Sequence, residues 1–192
     1  MKKWWLVGLM MLTPFYVYSA ENTTNALAGR VEQSRMVVKA FMGELKHELK
    51  SALKAGGPVA GIEVCRQLAP AIAEAQSRKM GWTVARTSLK PRNPENRPDD
   101  WEAKVLKDFE VRQAAGEDPK KMEFYAQTQY QGKTVFRYMK AIPTAEKPCL
   151  ACHGEKIKPA IASKLDESYP HDKARGYRAG DIRGAFSIIQ PM

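Results

Sequence analysis

The chain has 192 residues, with 31 Lys and Arg against 21 Asp and Glu and a net charge of +10. Its cations are spread rather than clustered, which excludes the basic stripe of a nucleic-acid binder. No internal repeat or low-complexity tract interrupts it, and the length suits one domain.

Met1-Lys2-Lys3 precedes an apolar run from Trp4 to Tyr16, and Val17-Tyr18-Ser19-Ala20 follows it. A short basic end, an apolar core and a small-residue site predict an export signal over 1–20. Cleavage after Ser19 puts Val17 and Ser19 at the two critical positions. An uncleaved anchor is the weaker reading, because the run falls short of the roughly 20 residues that span a bilayer. No later stretch is apolar enough to cross one. The expectation is a soluble, exported domain over 21–192, and losing Lys2 and Lys3 takes its charge from +10 to +8.

Ala26 to Ala55 reads as a long amphipathic helix, with Val38, Phe41, Met42, Leu45, Leu49 and Leu53 at spacings of three and four. Gly56-Gly57-Pro58 predicts its end. His47 lies off the apolar stripe and reads as exposed. A second helical segment carries Ile62, Cys65, Ala69 and Ile72 on one face, with Pro70 at a first turn or a kink. Taken alone, Cys65 reads as a small buried hydrophobe before it reads as a ligand.

Trp82 to Thr87 alternates and predicts a strand. Arg86-Thr87-Ser88-Leu89-Lys90-Pro91-Arg92-Asn93-Pro94-Glu95-Asn96-Arg97-Pro98 predicts a long loop without regular structure. Asp99 or Asp100 caps the next helix, which turns Trp101, Val105, Leu106 and Phe109 inward and ends at Gly116. Phe124 to Tyr130 and Lys133 to Ile142 form a hairpin around Gln131-Gly132. Pro159 to Ser168 predicts a short helix, and Ala185 to Ile189 a final strand. Sparse antiparallel strands with helices in front and between them predict an α+β fold.

Between the hairpin and the short helix lies Cys149-Leu150-Ala151-Cys152-His153-Gly154. C-x-x-C-H is the attachment signature of a c-type haem. Cysteines three apart sit about one helical turn apart, so both sulfurs face one porphyrin. His153, four after Cys149, projects from the same side as a proximal ligand to the iron. Gly154 lets backbone pass the ring edge. Pro148 and Pro159 confine any helix here to a turn or two. A zinc site would call for a second C-x-x-C or H-x-x-x-H pair, which the chain lacks. A thioredoxin-type pair would follow a strand in a βαβ unit. One covalent haem c is therefore the expected cofactor, and it fits with export, since such haem is attached outside the bacterial cytoplasm. Arg86, Lys90, Arg92 and Arg97 are candidates to hold its propionates, against the reading of a solvated basic loop.

These residues together resemble a known family. Ile62-Glu63-Val64-Cys65 with Ala69-Pro70, Arg86-Thr87-Ser88, and Arg92-Asn93-Pro94-Glu95-Asn96 with Pro98-Asp99 and Trp101-Glu102 carry the resemblance. So do the haem motif, Tyr169-Pro170, Gly176-Tyr177 and Gly180-Asp181-Ile182-Arg183-Gly184-Ala185. The chain is similar to the PAS-like monohaem c-type sensor domains of bacteria, long filed as a domain of unknown function. That resemblance implies a PAS-like antiparallel sheet of about five strands flanked by helices. It also implies that Cys65 is the second axial ligand, opposite His153. No output domain follows the last strand, so signalling to a kinase within the chain is not expected. Two functions stand close together: a periplasmic redox or diatomic-gas sensor module, or an electron-transfer cytochrome docking on an acidic redox or signalling partner. An enzyme is not expected, because no acid–base constellation surrounds the motif.

Overall fold

The computed structural model describes residues 15–192, with side chains from Asn25 onward. The predicted export signal lies outside the described residues up to residue 14. None of the described helices is long and apolar enough to cross a membrane.

Helix α1 spans Phe15–Glu63 and is interrupted where Gly56 and Gly57 leave helical conformation. This is the break that Gly56-Gly57-Pro58 predicts, but the chain then re-enters a helix and folds back. Gly61 on the return arm lies under Leu49 and Leu53, and a Cβ there would stand 3.1 Å from Leu49 Cδ1. A π-helical turn over Val64–Leu68 leads into α2, Ala69–Met80.

The sheet holds β1 (Thr83–Thr87), β2 (Glu123–Tyr130), β3 (Lys133–Pro143) and β4 (Ile182–Pro191) in the order β1-β4-β3-β2. Every pairing is antiparallel. Gln131 and Gly132, at φ 51° and 76°, form the two-residue turn between β2 and β3. The fold is α+β with four strands among the described residues, where the resemblance implied about five. The physical reason lies just past β1. There Pro91, Pro94 and Pro98 have no N–H to donate to a ladder. The chain instead folds into a loop tied by Ser88 N–H to Asn96 O at 3.0 Å, with one 3-10 turn at Pro94–Asn96.

Both faces of the sheet are covered. Helices α1 and α2 lie on one side, where Val31, Val38, Phe41 and Ile72 meet Val84, Phe136, Tyr138, Phe186 and Ile188. Phe41 meets Phe186 edge-on at 5.2 Å between centroids. Helix α3 (Asp100–Ala114) covers the other side through Val105, Leu106 and Phe109, against Met139, Ala141 and Ala185. Coverage on both sides explains why β3 and β4 are buried almost throughout, although side chains alternate along a strand. Asp99 and Glu102 form a reciprocal capping box at the start of α3. Two short helices, α4 (Leu150–His153) and α5 (Pro159–Ser168), precede β4. Ile161, Leu165 and Tyr169 join Ile62 in a third cluster, which pins α5 to the return arm of α1.

Candidate functional site

Cys149 through His153 make a single helical turn, closed by His153 N–H to Cys149 O at 2.9 Å and Gly154 N–H to Leu150 O at 3.0 Å. That is the short helix the flanking prolines predict. Cys149 and Cys152 are free thiols, each half-buried. Cys152 leans on the Ile62, Leu165 and Tyr169 cluster, and burial pushes its thiol pKa up. Gly154 also has a local role. A Cβ there would come within 2.6 Å of Leu150 O, so glycine lets the chain leave the turn closely and bridge to Tyr177.

The imidazole of His153 is fixed in one tautomer. Its Nδ1 donates to Ala174 O at 2.8 Å, which leaves the Nε2 lone pair for another partner. Burial holds its pKa well below the ordinary histidine value, and the charges of Arg183 and Arg92 lower it further. The ring is therefore neutral at pH 7. A neutral imidazole whose second nitrogen is held by a carbonyl is the form a metal-ligating histidine takes.

Ala174 is itself positioned by Asp172 and Arg92. Arg92 Nε donates to Asp172 Oδ1 at 3.0 Å, and its Nη2 donates to Cys152 O at 2.6 Å and Ala174 O at 3.2 Å. Asp172 also accepts from Ala174 N–H at 2.9 Å and Arg175 Nε at 2.8 Å. Burial alone would raise the Asp172 pKa, but hydrogen bonds from Arg92 and Arg175 outweigh it and hold the carboxyl below its ordinary range. Arg92 thus ties the loop before α3 to the haem motif and to the loop before β4. Only its Nη1 lacks a hydrogen bond among the described residues, so most of its donors serve the loop.

Arg86 is placed differently. It follows Val84 by two positions along β1 and so faces the α1 side of the sheet, with its guanidinium 5.7 Å from the Phe41 ring centroid. An open cleft of about 570 Å³, solvent mouth included, lies at this end of the sheet. Cys65, Arg86, Arg92, His153 and Arg183 all line it. Of the other predicted candidates, Lys90 also reaches the cleft, with its ammonium on Arg175 O at 2.8 Å and 4.7 Å from the Tyr177 ring. Arg97 is not in the lining, and His47 and His171 are exposed.

Cys65 stands on the π-helical turn. Pro70 gives a local reason for that turn. In a regular helix its ring would collide with the carbonyl of Arg66, and the wider turn just before it relieves the clash. Ala69 N–H bonds Val64 O across the widened turn. Such turns recur at functional sites because they re-aim a side chain.

Arg183 is the cleft residue that sequence reasoning passed over. It lies inside the Gly180-Asp181-Ile182-Arg183-Gly184-Ala185 block, and a cation beside two glycines was the signal available. Gly184, at φ 155°, leaves no room for a side chain, because a Cβ would collide with Thr87 O.

The fold and the cleft define a class: a small α+β domain in which a C-x-x-C-H turn borders a cation-rimmed cleft at the end of an antiparallel sheet. The chain belongs to the Tll0287-like family, whose model matches residues 19–191. Its fold is similar to that in the crystal structure of the cyanobacterial haem protein Tll0287. The TM-score is 0.61, at 23% identity over 83% of this chain and 96% of that one. No curated protein matches the chain.

Proposed function

We propose that residues 21–192 form a periplasmic, PAS-like monohaem c-type domain acting as a redox or diatomic-gas sensor module, with residues 1–20 as its export signal. Cys149 and Cys152 hold the haem covalently, and His153 and Cys65 are its axial ligands. One observation carries the reading. His153, neutral and with Nδ1 already bonded, lines the same cleft as Cys65, the one cysteine outside the motif. Among the described residues no three His, Cys, Asp or Glu side chains converge as a metal site. A histidine and a cysteine alone suit an iron whose remaining ligands come from a macrocycle. The similar solved structure is that of a haem protein, which agrees with this choice of group.

When bound, the haem would supply a one-electron redox centre and a site for diatomic ligands. The protein's part is to hold His153 by Ala174 and to present Cys65 from the π-helical turn. A thiolate is tolerated where it cancels a positive centre, and it is disfavoured once that charge is gone. Cys65 should therefore bind the ferric form and loosen from the ferrous form. Ferric protein should show a low-spin thiolate signature that Cys65→Ser loses, and ferrous protein should take carbon monoxide more readily than ferric. An unchanged ferric spectrum in Cys65→Ser would sink the ligand assignment. If the ligand holds but ferrous protein refuses carbon monoxide, the electron-transfer cytochrome is the better reading. The net charge of +8 on residues 21–192, suited to an acidic partner, favours that second reading.

A further inference from the structure

Two guanidinium groups in the cleft have no counter-charge. β1 and β4 are neighbours, with Thr87 opposite Ala185, so Arg86 and Arg183 stand at the same end of adjacent strands. Both line the cleft. Among the described residues, neither lies within 4.0 Å of a carboxylate, although most other arginines here form ion pairs. Arg183 Nε is buried without a hydrogen-bond partner. Burial pushes the Arg86 pKa down to about 10, and the charge of Arg183 adds to that fall. Two like charges facing one another on a partly dry wall oppose folding unless an anion completes them. By contrast Arg92, another of the predicted propionate candidates, is cancelled by Asp172.

We infer that Arg86 and Arg183 form a dianion subsite that takes the two carboxylates of one ligand, the propionates of the haem, while Arg92 serves only to position the motif. This rests on the haem reading above. The charges then balance. The Cys65 thiolate offsets the single positive charge of a ferric porphyrin core, and two guanidiniums offset two propionates. The ferric site is neutral, and reduction leaves it with one net negative charge. Taking one guanidinium away makes the ferric site negative already, so the ferric state gains relative to the ferrous and the midpoint potential falls. Arg183 is thus a residue that sets the potential through the propionates, without touching the iron.

The test uses exported protein carrying its haem, with Arg183→Gln, Arg183→Lys and Arg86→Lys variants. Redox titration followed by absorbance gives the midpoint potential, and resonance Raman gives the propionate bending modes. Arg183→Gln should shift the ferrous-to-ferric equilibrium about tenfold toward ferric, or about 59 mV for a one-electron couple. It should move the propionate modes and leave the axial-ligand bands in place. Arg183→Lys should recover most of the potential, since it keeps the charge but not the fork. If Arg183→Gln does not fold, the two lysine variants still report, because each should disturb the propionate modes. Unmoved modes and potential in haem-loaded variants overturn this inference and leave the haem reading standing. A wild-type protein without covalent haem overturns both.

Discussion

Nδ1 of His153 donates to the carbonyl oxygen of Ala174 at 2.8 Å, across twenty-one positions of sequence. That bond ties the haem motif to the loop before β4, and the loop is held in turn by Asp172. Local sequence makes the motif turn, but a buried ion pair from elsewhere aims its histidine.

Asp172→Ala should therefore cost more than a surface mutation. The side chains of Asp172 and Arg92 are 2% and 10% exposed. Removing the acid leaves the guanidinium buried and unpaired, at a cost of about 3 kcal/mol. Urea unfolding of wild type and variant measures it. A loss within about 0.5 kcal/mol, the range of ordinary surface changes, would show that the pair is dispensable.

The same pair makes stability fall in acid. The Asp172 pKa lies below its ordinary value, so the stability it gives is fully present above about pH 3.9 and is lost as pH falls through the folded pKa. The stability gap between wild type and Asp172→Asn should accordingly stay level above about pH 3.9 and narrow in the acid window below it. A gap that stays constant over that window would mean that the carboxylate charge contributes nothing.

Leu165 is fully buried in the cluster that also receives Cys152 and Tyr169. Leu165→Ala should destabilise the protein by about 3 kcal/mol through lost transfer energy and a residual cavity. It should also loosen the wall behind the motif, so haem-loaded variant should show broader axial-ligand signals at unchanged peptide mass. Denaturant midpoints and low-temperature electron paramagnetic resonance check the two parts.

Export should leave a new N-terminus at Ala20 or Glu21. The leader has a basic start, a short apolar core and a small-residue site. N-terminal mass spectrometry of protein recovered from the periplasm decides the matter. Intact Met1 on membrane-bound material would mean an anchor.

Much of the fold was legible because its signals are local. The Gln131-Gly132 turn announced the β2–β3 hairpin, Asp99 was one of the two caps expected for α3, and Pro159 to Ser168 matched α5 at both ends. What escaped depends on register between distant segments. Arg137, a cation in the middle of β3, is 2% exposed. Its guanidinium stacks 4.3 Å from the Trp101 ring centroid and meets Asp99 and Glu102 at 2.8 and 3.3 Å. Only packing of α3 on the sheet supplies those partners. The cleft shows the same limit. Cys65, His153, Arg86 and Arg92 were named from the sequence and all line it, but which cation is paired depends on Asp172, 80 positions from Arg92. No spacing rule within either segment reveals that choice.

The central claim is that Cys149 and Cys152 carry a haem by thioether bonds, and mass spectrometry of acid–acetone-treated, denatured protein tests it most directly. Thioether bonds survive that treatment, whereas a haem held only by axial ligands leaves. The account predicts a processed chain heavier by one haem, with the added mass on the peptide that contains Cys149 and Cys152. A chain at its bare peptide mass, with all colour in the acetone, would contradict it.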